Sequence, residues 1–548
     1  MNQRMDARTR TDLLLLAVFC GFLFFYGLGA FGLVGADEPR YAQIAREMLD
    51  RSDWVTPTLL GKPWLEKPVL YYWEAMVSFR LFGVTDRAAR LPGALDAAML
   101  VAGVYFFLRR FRPGSELDGA LIVASCAGMI GFAHAAATDM PLSSCFAIAL
   151  LGWYGWYESR RRSYLLAFYL FLALGTLAKG PVAPALAAAV ILIFLAARRD
   201  WRAIWGTLWI PGIVLFFVVA LPWYVAVQIR NPEFFRFFIL EHNLARFSTA
   251  VYHHPQPFWF YVPVFLLAIM PWAVVLVLAI VERVRSMWAR QKSISGGSGT
   301  SAPQAGVQQA SVISWPLFLL IWMMVPIVFF SASHSKLPGY ILPAVPAGAL
   351  LVADYLEARR AAGKRISLLF ALAHGVICGL LVFAALCAAG IAASHHLVWL
   401  RGTFIAAGIA VVVALGIGAT LLSRVGPRLL TRATMFAVAV SVAVVIRFAA
   451  PVIDATQSAR GIADRIQAFS HEAVPVGIYH VNRVQQYGLE FYLNRGMQSY
   501  ESGTIPAAGH VVVAARGSQS EVALLVPGRR VSYLTSVPGQ KLELYWVK

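Results

Sequence analysis

The sequence predicts a polytopic α-helical membrane protein with a C-terminal α/β domain, and three observations carry that prediction. Apolar residues make up 59% of the chain and charged residues only 14%, with a mean hydropathy of +0.65, far outside the range of soluble domains. A spanning helix needs roughly 20 apolar residues, and about thirteen such runs lie before residue 450. After Ala450 short β-rich runs (VPVGIYHV, HVVVAAR, KLELYWVK) alternate with helix-compatible stretches such as SARGIADRIQAF. The expected division is therefore a transmembrane domain over 1–450 and a small α/β domain over 451–548.

The first apolar run is longer than the core of a signal peptide, lacks a convincing small-residue cleavage site and is followed by further spans, so it reads as retained. With the N-terminus inside, alternate loops should be basic. They carry RRFR, RRR, RRDWR, ERVRSMWARQK and EARRAAGKR. That distribution accounts for much of the +19 formal charge through helix orientation and anionic lipid headgroups, and it argues against nucleic acid as a partner. The other loops share the outer face: residues 34–92, the turns at Asp139, Lys179 and Lys336, the segment 229–257, and the chain after 450.

All five cysteines fall in predicted spans, so no disulfide framework is readable. SISGGSGTSAPQAGVQQAS, at 293–311, reads as a flexible linker. Ionisable residues are nearly absent from the spans, unlike a pump or transporter. Chemistry is thus expected at the outer face.

There the stretch VGADEPRYAQIAREML follows the first run. Tyr41, Ile44, Ala45, Met48 and Leu49 form one apolar stripe, with Arg40, Glu47, Asp50 and Arg51 off it, the pattern of an interfacial helix. Asp37 precedes Pro39 in the first turn and reads either as an N-cap or as a catalytic carboxylate. Glu38 points about 100° away from it and is expected to matter less. In TPTLLGKPWLEKPVLYYWEA the aromatics read as a membrane belt, whereas Lys67 is a fixed positive charge suited to a departing phosphate. TDMP (Asp139), AKGP (Lys179) and SHSKLPGY (Lys336, Tyr340) each bring a polar group to the same face, and together they suggest the rim of a cavity. His253 and His254, with Glu66 as a third partner, are of the ligand types that bind zinc, but lack ligand spacing; contact with substrate or interface is the alternative.

GADEPRYAQIAREM, followed about twenty residues later by KPVLYYW, resembles the aminoarabinose transferases of Gram-negative bacteria, within the protein O-mannosyltransferase-like GT-C glycosyltransferases. The similarity is best over the N-terminal 260 residues or so. It implies a GT-C fold with periplasmic interfacial helices, an undecaprenyl phosphate-linked sugar donor, lipid A as acceptor, and a site on the periplasmic side of the inner membrane. It also implies an essential acidic residue in the first loop, matched by Asp37. The family's donor contacts map onto Arg40, Tyr41 and Lys67, and more weakly onto Lys179, Lys336 and Tyr340. A monomer with no firmly required cofactor is expected. A transferase acting on protein or another glycan, and a lipid-linked substrate flippase, are the competing readings.

Overall fold

The computed structural model describes residues 7–238, 256–295, 303–363, 368–393, 427–469 and 474–548, with part of 405–418. Helix α1 (Ala7–Cys20) leads through a short π-helical turn to α2 (Asp37–Asp50), and a two-stranded hairpin, β1 (Thr58–Leu59) and β2 (Lys62–Pro63), separates α2 from α3 (Leu70–Phe82). A run of helices follows: α4 (Asp86–Phe111), α5 (Glu116–Ala124), α6 (Ala127–Ala133), α7 (Asp139–Ser159), α8 (Ser163–Lys179), α9 (Val182–Arg198), α10 (Arg202–Thr207) and α11 (Ile210–Arg230). Beyond it come α12 (Tyr261–Ala268), α13 (Ala273–Ser295), α14 (Pro303–Ser331), a 3-10 segment Pro338–Ala344, α15 (Val345–Ala361), α16 (Leu368–Ala393), α17 (Pro427–Val444) and α18 (Ala450–Gln457). Helices α13 and α14 thus enter the stretch expected to be linker.

Among the described residues, five helices are long and apolar enough to cross a membrane: Asp86–Phe111, Ile210–Arg230, Ser314–Ser331, Pro338–Ala361 and Arg428–Gln457. Two further spans are broken. α5 and α6 meet at 63°, and α12 meets Ala273–Arg283 at 113°. Three shorter apolar helices, including α8 and α9, complete the apolar set. The core between the spans is aromatic, with Trp153, Tyr154, Phe194 and Phe318 packed ring on ring at centroid distances of 4.7–6.1 Å.

The C-terminal region holds a five-stranded sheet in the order β4-β3-β5-β7-β6, from β3 (Val476–Tyr479), β4 (Gln498–Ser499), β5 (His510–Ala515), β6 (Val531–Val537) and β7 (Leu542–Val547). β3 lies parallel to β4 and β5, and β7 antiparallel to β5 and β6. Successive side chains of a strand face opposite ways. Val511 and Val513 of β5 accordingly join Ile462 and Ile466 of α19 (Arg460–Phe469) and Leu489 of α20 (Arg483–Leu493). Val512 and Ala514 join Val522 of α21 (Gln519–Leu525) on the other face. The sheet is buried on both sides, which is why its central strand reads as an unbroken apolar run.

What positions the site is α2. Its stripe of Tyr41, Ile44, Ala45 and Met48 is buried at 4% exposure or less, as the periodicity predicts. Ala42 and Gln43 are buried too, because α20 covers the opposite side. Gln43 donates to Asn494 at 3.2 Å and Arg46 to the Phe491 carbonyl at 3.2 Å. The helix is therefore clamped between the spans and the C-terminal region, rather than resting on the bilayer with one face open.

Candidate functional site

Asp37 is the first residue of α2, and the position before it is Ala36, which offers no side chain to cap the helix. Asp37 makes no cap hydrogen bond of its own among those described. Its carboxylate is half-exposed, at 53%, and pairs with Arg40 one turn on. Asp37 is therefore not the cap of α2, and its carboxylate stands half-exposed beside Arg40.

Arg40 is the centre of the cluster. Its guanidinium carbon lies 5.2 Å from the ring centroid of Tyr41, 5.1 Å from Trp64 and 5.6 Å from Tyr487, the last contributed by α20. Burial alone would lower its pKa, but the phenols of Tyr41 and Tyr72 and the carboxylates of Asp37 and Glu66 around it outweigh that and raise it; at neutral pH the two carboxylates carry the negative charge, and the group stays cationic. Burial pushes the Tyr41 and Tyr72 phenols well up, and the negative charge of Asp37 adds to both. Both therefore remain neutral O–H donors at physiological pH. Three donors in this cluster, Arg40 Nε, Trp64 Nε1 and the Tyr72 hydroxyl, are buried with no hydrogen-bond partner among the described residues. Buried donors are normally paired. An oxyanion is the group that such a set can bind.

Beside this cluster the three turns singled out in the sequence converge. Lys179, at the end of α8, donates to Asp139, at the start of α7, at 2.6 Å, with both side chains largely buried. The Lys179 ammonium stands 4.8 Å over the Tyr340 ring. A Cβ on Gly339 would sit 2.6 Å from Asp139 Oδ1, so a bare backbone is needed where these turns meet. The charge of Asp139 also reaches Tyr41, joining the two clusters. Lys336 is buried and spends its donors on the carbonyls of Ser333 at 2.6 Å and Gln256 at 3.1 Å. Lys67 is half-buried in the loop before α3, next to Glu66.

The expected zinc ligands His253 and His254, with most of the segment 229–257, lie outside the described residues. Among the described residues no group of three or more His, Cys, Asp or Glu side chains is placed to hold a metal ion. Glu66 instead supplies charge to Arg40.

Glu38 has a structural place that the sequence did not indicate. It is buried and receives four hydrogen bonds: from Arg90 at 3.1 and 2.7 Å, and from the Val34 and Ala136 amides at 2.8 Å each. Arg90, 0% exposed, donates further to the carbonyls of Leu28, Phe31 and Gly32 at 2.7–2.9 Å. The pair fastens the segment between α1 and α2 to α4 and to the turn between α6 and α7. Sequence periodicity could not reveal it, because Arg90 is 52 residues away.

The C-terminal region was equally unreadable as part of the site. Asp86, at the start of α4, accepts from Tyr492 at 2.6 Å and Arg460 at 3.0 Å. Asp454 accepts from Arg460 at 2.8 Å and from the Gly32 amide at 2.8 Å. These contacts tie residues on both sides of Asp37 to the last hundred residues of the chain.

Comparisons with known proteins agree with this architecture. The model of the family described as dolichyl-phosphate-mannose-protein mannosyltransferase matches residues 66–225. The undecaprenyl phosphate-alpha-4-amino-4-deoxy-L-arabinose arabinosyl transferase of Pseudomonas aeruginosa (strain UCBPP-PA14) is 32% identical over 373 residues, covering 66% of this chain and 62% of the relative. The protein of the same name from Serratia proteamaculans (strain 568) is 33% identical over 353 residues, 63% of this chain and 59% of the relative. The match thus spans about three fifths of those relatives' length. The crystal structure of ArnT from Cupriavidus metallidurans bound to undecaprenyl phosphate superposes with a TM-score of 0.74 at 21% identity, covering 99% of this chain and 98% of that one. By sequence identity the chain is similar to the undecaprenyl phosphate-alpha-4-amino-4-deoxy-L-arabinose arabinosyl transferases, and it shares the fold of ArnT.

Proposed function

We propose that this chain moves 4-amino-4-deoxy-L-arabinose from undecaprenyl phosphate to a phosphate of lipid A at the periplasmic face of the inner membrane. The product carries less negative charge and attracts cationic peptides such as polymyxin less strongly. The observation that supports this reading most is the Asp37–Arg40 pair, ringed by unpaired donors and set just beyond the first apolar run of the chain. A sugar tethered by phosphate to a membrane lipid presents its anomeric carbon at that depth.

In this reading an acceptor phosphate oxygen forms the new bond to the anomeric carbon as the bond to the donor phosphate breaks, and undecaprenyl phosphate leaves with the electron pair. A phosphate acceptor is already anionic at neutral pH, so no strong general base is required. The donor phosphate competes with Asp37 for Arg40, helped by Lys67 and by the unpaired O–H and N–H donors. That exchange releases the Asp37 carboxylate to face the oxocarbenium-like charge at the anomeric carbon and the sugar's ammonium. Lys179, held by Asp139 and Tyr340, borders the same space.

Mass spectrometry of lipid A from cells with and without the chain tests the proposal. An aminoarabinose increment that appears with the wild-type chain and vanishes with Asp37→Asn is the expected result. Sugar transfer by the purified protein to serine or threonine peptides, with none to lipid A, would overturn the acceptor. The orientation has its own test: a cysteine introduced at Ser499 should react with an impermeant reagent in intact spheroplasts.

A further inference from the structure

The two broken spans break at one place. The Ala127 amide, where α6 begins, donates to the Met270 carbonyl at 2.9 Å, and Trp272 Nε1 donates to Ser125 Oγ at 2.9 Å. Irregular backbone inside a membrane is tolerated where it is buried in protein or lines a cavity. Here it lines one of about 590 Å³, mostly apolar, walled by Met270, Pro271, Gly131, Val442 and Ile446, with His134 and the Arg90-paired Glu38 at its wall. Ile446 also borders a second cavity of about 650 Å³, whose lining includes Tyr26, Gly29, Arg87 and Arg447. The Tyr26 carbonyl of the second cavity bonds His134 Nε2 of the first at 3.1 Å, so the two spaces adjoin.

Arg87 stands one residue into α4 from Asp86, and Arg447 lies seven residues before Asp454, so both belong to the Asp37 end of their spans. Neither forms an ion pair with a carboxylate among the described residues, and both are exposed. Two uncompensated guanidinium groups beside an apolar crevice match an amphiphile with an anionic head and a hydrocarbon tail. We propose that Arg87 and Arg447 hold the phosphate of an anionic bilayer phospholipid whose acyl chain fills the crevice between the broken helices. This site is separate from the Arg40 cluster and does not rest on the proposed transferase activity.

The test is native mass spectrometry of the full chain released from bilayers of equal phosphatidylglycerol and phosphatidylcholine with identical acyl chains. Two arginines near a headgroup predict a roughly thirtyfold preference for phosphatidylglycerol. The double variant Arg87→Gln, Arg447→Gln should lose that preference. Gly131 lines the crevice, and a Cβ there meets nothing within 4 Å, so Gly131→Leu, whose further carbons reach into the crevice, should take up the tail space and expel the lipid while Tm is kept. Equal retention of both lipids by the wild-type chain would mean that the arginines only snorkel to the membrane surface, and would overturn the proposal. So would undiminished phosphatidylglycerol in either variant, or lipid A or a polyprenyl phosphate in its place.

Discussion

Asp37 and Glu38 are neighbours on one helical turn, and the two sides of that turn have opposite chemistry. The Glu38 side is dry, with a carboxylate that receives four hydrogen bonds and an arginine with no exposed surface. On the Asp37 side the carboxylate is half-exposed, has one arginine as partner, and stands near three donors that bond to nothing described. Complete satisfaction fixes geometry and leaves no valence for a substrate. Incomplete satisfaction is what a reaction needs, and it costs stability unless something nearby holds the backbone. The two halves are therefore complementary: the Glu38–Arg90 pair holds the frame on which Asp37 can stay unsatisfied.

The sharpest test of that division is Asp37→Asn, which keeps shape and removes charge. Transfer should fall roughly a thousandfold, about 4 kcal/mol of transition-state stabilisation, with an unchanged melting temperature. A variant that transfers at the wild-type rate would place the chemistry elsewhere. Arg90→Met should do the reverse and act on folding, since leaving a buried carboxylate without its partner costs about 3–5 kcal/mol. Glu38→Gln should also destabilise, because the amide nitrogen cannot accept the hydrogen bonds that the lost oxygen took. Yield and thermal unfolding in detergent report both, and a well-folded Arg90→Met with normal yield would remove the frame from the account.

A third comparison lies in α20, where Glu490 is 1% exposed and has one oxygen without a partner. Burial raises its pKa from 4.5 to about 6. The folded chain therefore holds a proton that the unfolded chain releases: the contribution is full below about 4.5 and is lost as pH rises through about 6. Wild type should lose about 2 kcal/mol from this group between pH 4 and pH 7.5, and Glu490→Gln should not. Melting temperatures of the two chains across that range should converge at acid pH and part at neutral pH. Curves that stay parallel would exclude Glu490 as the source. The smallest effect is expected from Tyr487→Ala, which takes one ring off the Arg40 guanidinium. About 1 kcal/mol, or a roughly fivefold loss of kcat/KM, should follow, and Tyr487→Phe should restore it.

How far the site could be read from the chain depended on distance along it. Asp37 and Arg40 share one helical turn, and Asp139, Lys179 and Tyr340 each sit in a short turn that topology alone places on one face. Such residues are legible because helix period and loop alternation fix where they go. Arg90 and Tyr487 were not, because burial and ring contact depend on packing between elements far apart in sequence. The apolar stripe of α2 was predicted correctly; its second buried side was not, because the covering helix begins more than 430 residues later. The α/β composition after Ala450 was readable, but not its contact with the first loop.

The hydrogen bond from the Gly32 amide to Asp454 joins residues 422 positions apart. A ribosome adding about 5–20 residues per second makes the second partner roughly 20–80 seconds after the first. Until then the first loop has no cover over α2 and no partners for the Gly32 amide and Asp86. The earliest loop to be made is among the last to be finished, so a chain interrupted anywhere before residue 454 emerges with the start of α2 uncovered. An incomplete copy would advertise itself to proteases through unsatisfied backbone and exposed apolar surface. Closure of the first loop thus waits on residues made more than 400 positions later.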